Sequence, residues 1–150
     1  MFPGYRVRIA SAFLAGLFLA CIACAADAAD PKGFWLTEDR GGIIQIRPCG
    51  DALCGIIVGL TDWPATGIKV DVRGNPQCHY TLLAGLKPED DGRWHGTVTN
   101  PEDGRTYSAE VWVPADGVLR LRGYIGLPLL GSTQLWPAYH GATRADCRFP

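Results

Sequence analysis

The sequence lacks an excess of charge of either sign, and this absence excludes several classes of function. Its 14 Lys and Arg residues stand against 15 Asp and Glu residues, for a formal net charge of −1. A chain without a basic field has no electrostatic means of holding nucleic acid or an anionic membrane surface. Charged residues make up 19% of the chain and hydrophobic residues 47%, which excludes an intrinsically disordered protein. At 150 residues, we expect one folded domain.

Recognisable catalytic and metal-binding motifs are also missing from the sequence. It has no Gly-x-Ser-x-Gly elbow, no His-x-His and no His-Glu-x-x-His. His79 and His95 would lie on neighbouring strands, but without a carboxylate partner we interpret them as solvent-facing strand residues. The Asp71-x-x-x-Asn75 segment lacks the dense series of oxygen ligands of a calcium loop and is typical of a turn. We therefore expect no metal, no cofactor and no enzymatic activity, and a hydrolase whose site no motif reveals is the weakest of three functional hypotheses.

The longest apolar run lies near the N-terminus. Arg6 and Arg8 precede 18 uncharged residues, 9–26, and the small-x-small step Ala26-Asp27-Ala28 ends the run. This order is typical of a secretory signal peptide, so we expect residues 1–28 to be removed by cleavage. The alternative is a retained membrane anchor, for which 18 residues is short.

Cleavage would leave residues 29–150 as a single domain in the periplasm or outside the cell. These 122 residues carry a net charge of −2, because two arginines and one aspartate leave with the signal peptide. They contain no second apolar run long enough to span a bilayer. A lipoprotein is a minor alternative, since neither Cys21 nor Cys24 follows a good lipobox.

Four cysteines remain in this domain, and an even number in an exported chain predicts disulfides. Cys49 and Cys54 flank a short loop, so a local bridge between them would close easily. That bridge leaves Cys78 to pair with Cys147, although four cysteines allow three pairings. Cys-x4-Cys differs from the Cys-x-x-Cys of oxidoreductases and zinc ribbons. Structural disulfides are therefore favoured over a redox or metal site.

Beyond residue 30 the apolar residues recur at strand spacing instead of helical spacing. In Thr106–Val113, for example, Tyr107 and Val111 share one face while Trp112 lies on the other. Eight such segments, separated by turn residues, lie at 33–38, 43–48, 55–60, 78–86, 93–99, 106–113, 118–125 and 131–136. Their short connections predict an all-β fold, a sequential antiparallel meander that closes into a small up-and-down barrel. A two-sheet sandwich is the alternative.

Several segments occur in an order that identifies a family. They are Gly33-Phe34-Trp35, Leu53–Val58, Asn75-Pro76, Asn100–Tyr107, Leu119–Tyr124 and Thr133–Trp136. Together they resemble the bacterial exported family called domain of unknown function 2147, over nearly all of residues 29–150. The resemblance implies a lipocalin-like barrel in the periplasm and brings no established catalytic residues. Tyr124 and Leu130 stand where many members have cysteines, so the disulfide pairing of the family does not transfer directly.

Aromatic residues carry the functional signal in this sequence. A barrel of eight strands either fills its interior or holds one small ligand. We expect a small apolar or amphipathic molecule inside the barrel. The residues expected to bind it are Trp35, Tyr107, Tyr124 and Trp136, with Trp63 at the rim. Trp63 belongs to the long loop Thr61–Pro76, which would form a lid or rim.

Two further expectations concern the closed end of the barrel and an alternative function. Gly33-x-Trp35 resembles the first strand of lipocalins, which implies that Trp35 plugs the closed end of the barrel. The alternative function is a protein-interaction module of the cell envelope, with a filled barrel and no ligand. Its protein partner is unknown.

Overall fold

The computed structural model describes residues 28–149, which form eight antiparallel strands. The strands are β1 (Gly33–Leu36), β2 (Gly42–Cys49), β3 (Ala52–Leu60), β4 (Thr81–Pro88), β5 (Trp94–Thr99), β6 (Thr106–Trp112), β7 (Leu119–Tyr124) and β8 (Ser132–Trp136). A short 3-10 turn, Pro128–Leu130, precedes β8. The expected signal peptide lies outside the described residues, apart from Ala28. Within these residues, no helix has the length and apolar character needed to cross a membrane.

Each strand pairs with the next along the chain, from β1 to β8. The chain after β8 then returns to β1, where Leu36 N donates to Pro137 O at 2.9 Å and Tyr139 N donates to Phe34 O at 2.8 Å. These bonds join the first strand to the last segment and remove most of the free sheet edge. The expected all-β, eight-stranded barrel is confirmed, and it is nearly closed.

The barrel has a closed end and an open end. The closed end contains the three tight turns after β2, β4 and β6, and its interior is filled by large side chains from every strand. The core cluster there and along the barrel comprises Trp35, Ile44, Ile46, Leu53, Ile57, Leu60, Leu83, Leu86, Ala109, Val111, Leu119, Leu121 and Trp136. The open end contains the connections after β1, β3, β5 and β7.

Residues before β1 cover the closed end. The Trp35 indole Nε1 donates to Pro31 O at 2.8 Å, and the Trp94 Nε1 donates to Ala29 O at 3.0 Å. Pro31 is buried beside them. Both indole N–H groups thus have a backbone acceptor, so Trp35 is buried and Trp94 is half-buried without an unpaired donor.

Strand β3 is buried on both of its faces because the C-terminal segment lies against the outside of the barrel. Ile56 and Val58 point outward into a second apolar cluster that also contains Phe149. Leu60 N donates to Cys147 O at 2.7 Å, which fixes the C-terminal segment beside the end of β3. This double burial explains why the sequence Gly55–Leu60 is apolar throughout instead of alternating.

Both expected disulfides are present. Cys49–Cys54 spans the turn between β2 and β3 at the closed end, and Cys78–Cys147 ties the C-terminal segment to the end of the long loop. One disulfide therefore lies at each end of the barrel.

Strand β4 departs from simple alternation. Gly85 has a φ of 64°, a left-handed conformation that glycine adopts without a Cβ clash, and the pairing with β5 shifts register between Ala84 and Lys87. As a result Leu83 and Leu86, three residues apart, are both fully buried. A bulge of this kind breaks the period of two on which the sequence prediction relied.

Candidate functional site

The open half of the barrel contains a cavity of about 670 Å³ that opens to solvent. Its inner wall is formed by residues of β2 to β8, and its rim by the loops of the open end. The wall comprises Gly42, Ile44, Ile57, Leu60, Leu82, Val98, Tyr107, Leu121, Gly123, Ser132, Gln134 and Trp136. The rim comprises Thr37, Glu38, Asp39, Gly41, Asp62, Lys69, Gln77, Asn100, Pro101 and Glu102.

The cavity exists because small residues take inward positions near the open end. On β7, Leu119 and Leu121 fill the interior, but the next inward position is Gly123. A Cβ built on Gly123 would lie 3.5 Å from Val98 and 4.0 Å from Tyr107, which is ordinary contact distance, so the space beside it is open. The interior is therefore packed at one end and hollow at the other.

A few polar groups are placed within this mostly apolar wall. The Tyr107 hydroxyl donates to Asp103 Oδ2 at 3.1 Å, and the Trp136 Nε1 donates to Gln134 Oε1 at 2.9 Å. An apolar wall with a small number of fixed polar groups is the usual form of a small-molecule site.

The long loop between β3 and β4 forms one side of the rim. It contributes Asp62, Lys69 and Gln77 to the cavity lining. Val72 N donates to Pro101 O at 2.9 Å, which fixes the loop against the turn between β5 and β6. The structure thus places this loop at the rim, where the sequence analysis expected a rim or lid.

Two aspartates near the rim, Asp39 and Asp71, have pKa values that hydrogen-bond donors lower. The Thr37 hydroxyl and the Gly41 N–H donate to the Asp39 carboxylate, and they lower its pKa below the ordinary value. Burial alone would raise the pKa of Asp71, but donors from Asn75 and Arg73 outweigh it, and the net pKa is lowered. The Asp71 carboxylate accepts three hydrogen bonds from these two residues and so stabilises a turn, as the sequence predicted.

The five aromatic residues expected to bind a ligand are not all brought together. Tyr107 and Trp136 line the cavity, and Trp35 packs in the core cluster. Tyr124 lies on the outer face of β7, because Gly123 beside it faces inward. Trp63 lies on the long loop, where its Nε1 donates to Leu60 O and its ring packs under the Arg148 guanidinium at 4.5 Å.

Some lining residues were missed by the sequence analysis although a signal for them was available. The alternation of β7 already places Gly123 on the same face as Leu119 and Leu121, which marks it as a gap in the wall. Glu38 ended the first predicted strand and Asp39 began the turn after it, and acidic residues at such positions are too common to indicate a site.

The histidines do not form a metal site with each other. His95 Nε2 lies 2.9 Å from Asp91 Oδ2, and His79 Nε2 lies 3.2 Å from Ala145 O. His79 also lies with Cys78 and Cys147 in a group whose possible ligand atoms are within 4.8 Å of one another. Both sulfurs are joined in a disulfide, so they offer no thiolate to a metal.

Large apolar side chains are exposed on two loops of the open end. They are Ile68, Val70 and Val72 on the long loop and Ile125, Leu127, Leu129 and Leu130 between β7 and β8. Leu129 and Leu130 are 86% and 76% exposed. Exposed apolar groups concentrated in one region are typical of an interaction site.

The comparison with known families decides the family. Residues 33–137 match the family described as "Uncharacterized protein conserved in bacteria (DUF2147)". The chain belongs to this family. The resemblance seen in the sequence is therefore confirmed, and this DUF2147 domain covers all eight strands.

The fold of this DUF2147 protein is similar to that of a lipocalin. A solved structure, protein HP1028 from the human pathogen Helicobacter pylori, is described as belonging to the lipocalin family. The two are 17% identical with a TM-score of 0.63, over 74% of this chain and 84% of that chain. At this identity the similarity shows the fold alone. No curated protein matches the chain.

Proposed function

We propose that this protein binds a small apolar or amphipathic molecule in the barrel cavity, in the periplasm or after secretion. The observation that carries the proposal is the cavity of about 670 Å³, which has a mostly apolar strand wall, a polar rim and an opening to solvent. Its volume lies within the range of about 300–1,000 Å³ that is usual for small-molecule sites.

The backbone of the open end supports the same conclusion. Four non-glycine residues have a left-handed backbone: Arg40, Asp62, His79 and Cys147. All four lie in the open-end loops or in the C-terminal segment tied to them. Left-handed backbone at such residues costs free energy, and it is concentrated at functional sites in proteins.

The two disulfides support the proposed location. Disulfides persist in oxidising compartments, which include the bacterial periplasm and the exterior of the cell. The signal peptide expected over residues 1–28 would deliver the chain there.

Within the cavity we assign ligand contact to Tyr107 and Trp136. Trp136 offers an aromatic face whose indole N–H is already paired, so it presents an apolar surface. Trp35 would support this wall from within the core. Tyr124 and Trp63, which do not line the cavity, would have structural roles.

A variant that fills the cavity tests the proposal. Gly123→Leu places an apolar side chain in the open space beside Val98 without a backbone clash. We expect N-phenylnaphthylamine, a neutral apolar probe that fluoresces in apolar surroundings, to bind the wild type saturably. The Gly123→Leu variant should bind it at least about tenfold more weakly, because the added side chain occupies the site.

The matched control is Ser108→Leu, which adds an apolar side chain to the exposed outer face of β6. This variant should bind the probe like the wild type. Equal binding by the wild type and Gly123→Leu would place the probe on the exposed apolar loops and overturn the proposal. Absence of saturable binding to the wild type would overturn it as well.

One observation favours a second function, an interaction module of the cell envelope. The exposed side chains of Leu127, Leu129 and Leu130 would suit a docking surface. Photo-cross-linking from position 127 in intact cells tests this function. A discrete adduct that the double variant Leu129→Ser, Leu130→Ser loses would favour the interaction module. If the wild type forms no such adduct, this second function is overturned.

A further inference from the structure

Charge is strictly divided between the rim and the wall of the cavity. The lining contains five charged residues, and all of them belong to open-end loops: Glu38, Asp39, Asp62, Lys69 and Glu102. The twelve lining residues of the strands are all uncharged. A molecule that fills this space would therefore place its uncharged part against the strands and its head group among the rim charges.

The four rim carboxylates are not neutralised by neighbouring bases. Among residues 28–149, none of them has a basic nitrogen within 4.0 Å. Elsewhere acidic residues are commonly paired, in Asp30–Lys32, Asp51–Lys87, Asp91–His95, Glu110–Arg93, Asp116–Arg120 and Asp146–Arg144. The rim thus has an excess of negative charge that direct ion pairs do not neutralise.

Lys69 offsets that excess in part, since its ammonium helps to lower the pKa of Asp39. Lys69, the one base in the lining, donates its Nζ to Thr61 O at 3.2 Å. Arg73 directs its Nη2 to Gly104 O, and Arg40 and Arg105 are absent from the cavity lining. Four carboxylates and one ammonium leave the lining with a net charge of −3.

A buried amide adds an acceptor to the same region. Gln77 is only 8% exposed and lines the cavity. Its Nε2 donates to Val70 O at 2.8 Å, while its Oε1 accepts no hydrogen bond from residues 28–149. Solvent reaches this oxygen, since no buried side-chain nitrogen or oxygen among residues 28–149 lacks a partner, so the acceptor is available to a ligand in the cavity.

We infer that the ligand is an amphiphile with an apolar body and a cationic head group that donates hydrogen bonds, such as a primary ammonium. The body would lie against the uncharged strand wall. The head would lie among the rim carboxylates and offer N–H donors to them and to Gln77 Oε1. This inference rests on the proposed cavity function, and it adds the charge of the ligand.

Calorimetric titration with three amphiphiles of equal chain length tests the inference. The ligands are n-decylammonium, n-decanol and decanoate, each below its critical micelle concentration and in low salt. We expect decylammonium to bind most tightly, decanol more weakly and decanoate most weakly. Added salt should weaken the binding of decylammonium, because it screens exposed charges.

Variants of single rim residues test whether the rim carboxylates are the groups that bind the ammonium. Glu38→Gln and Glu102→Gln keep the size of each side chain and remove its charge. Each should weaken decylammonium binding roughly two- to fivefold, the range for one exposed charge pair, and leave decanol binding unchanged. Lys69→Gln should act in the opposite direction and strengthen decylammonium binding.

The matched control changes the same net charge at the other end of the barrel. The double variant Glu89→Gln, Asp90→Asn lies in the turn between β4 and β5 and should bind decylammonium like the wild type. If it weakens binding as much as Glu38→Gln with Glu102→Gln, only the net charge of the protein matters and the inference is overturned.

The titration separates this inference from the proposed function. If decanol or decanoate binds as tightly as decylammonium, the cavity function stands and the cationic head group is overturned. If none of the three binds, both are overturned. Tighter binding of decylammonium that Gly123→Leu abolishes would support both.

Discussion

The two halves of this barrel differ in how they use the same alternating strands. In the closed half, inward positions carry large side chains such as Leu86, Val111 and Leu119, which have no exposed area. In the open half, Gly123 and Ser132 take the inward positions of neighbouring strands, and a cavity remains. One half therefore stabilises the fold, while the other gives up packing to create space.

The two ends of the barrel also differ in the backbone conformation of their turns and in the pairing of their charges. The three closed-end turns have glycine where the backbone is left-handed, at Gly50, Gly92 and Gly117. The open-end loops also have left-handed glycines, but they include Arg40 and Asp62 in that conformation as well. The rim carboxylates also lack basic partners, as described above. Features that cost stability are concentrated at the open end, as expected where function limits the choice of residue.

The largest expected effect concerns the two disulfides. Replacing Cys78 and Cys147 with alanine removes a bridge across 69 residues and should lower the free energy of unfolding by about 4 kcal/mol. Replacing Cys49 and Cys54 opens a bridge across 5 residues and should cost about 2 kcal/mol. Urea denaturation followed by circular dichroism measures both. Equal losses would mean that chain entropy does not determine the contribution of each bridge.

Leucines from the two halves provide a direct test of the packing difference. Leu119→Ala, at a position with no exposed area, should lower the free energy of unfolding by about 3 kcal/mol. Leu82→Ala, on the cavity wall, should cost only about 1 kcal/mol, because this side chain is half-buried. The same denaturation experiment measures both variants. If Leu82→Ala costs as much as Leu119→Ala, the open half is packed as tightly as the closed half.

The Arg93–Glu110 pair near the closed end and Glu38 at the rim allow the contribution of charge to stability to be compared between the two ends. Glu110 is 3% exposed and accepts a hydrogen bond from Arg93, whose guanidinium also lies 4.2 Å from the centre of the Trp112 ring. Arg93→Met would leave a buried carboxylate without its partner and should cost about 2 kcal/mol. Glu38→Gln at the rim should change stability by less than about 0.5 kcal/mol.

Thermal and urea unfolding of the two variants measure this difference. The double variant Arg93→Met, Glu110→Leu should recover part of the loss, because it removes the buried charge as well. A large loss from Glu38→Gln would show that the rim carboxylate has a structural role, and the electrostatic contrast between the two ends would fail.

The smallest expected effect is on the pKa of one rim carboxyl. The Thr37 hydroxyl donates to Asp39 at 2.6 Å and is the main cause of its lowered pKa. A lowered pKa contributes stability above the ordinary carboxyl value of 3.8, and that contribution is lost as pH falls through the lowered pKa. Thr37→Val should raise the pKa of Asp39 toward the ordinary value, so the contribution should be smaller and should be fully lost at a higher pH.

Carbon-detected NMR titration of the aspartate carboxyls measures this change. Asp116 serves as an internal control, since the Val118 N–H and the Arg120 guanidinium lower its pKa at the closed end. Its pKa should not respond to Thr37→Val. Equal movement of both pKa values, or no movement of Asp39, would contradict the local cause.

Sequence periodicity predicted the strands well where each strand has one solvent-exposed face and one buried face. Strands β6 and β7 alternate cleanly, and their observed bounds differ from the predicted ones by one residue at most. The prediction was less accurate for β3, which begins at Ala52 instead of Gly55. Its outer face is covered by the C-terminal segment, and a strand buried on both faces has no alternation to read.

The candidate site was predicted only in outline. The sequence indicated an interior ligand and placed the long loop at the rim, and both Tyr107 and Trp136 line the observed cavity. Alternation along β7 already assigns Tyr124 to the outer face. The sequence could not select among Trp35, Tyr107 and Trp136, because alternation assigns each one a face but not a height along the barrel. The tertiary structure sets that height through the register of neighbouring strands.

The sequence by itself determined the strand order, the turn positions and the four cysteines available for bridges, because these depend on local residue patterns. Only the tertiary structure decided which part of the interior is filled and which is hollow. It also decided that four carboxylates and a single lysine face the same cavity, since these groups come from loops far apart in the chain. Packing density and charge balance are sums over such distant neighbours, and no local pattern contains them.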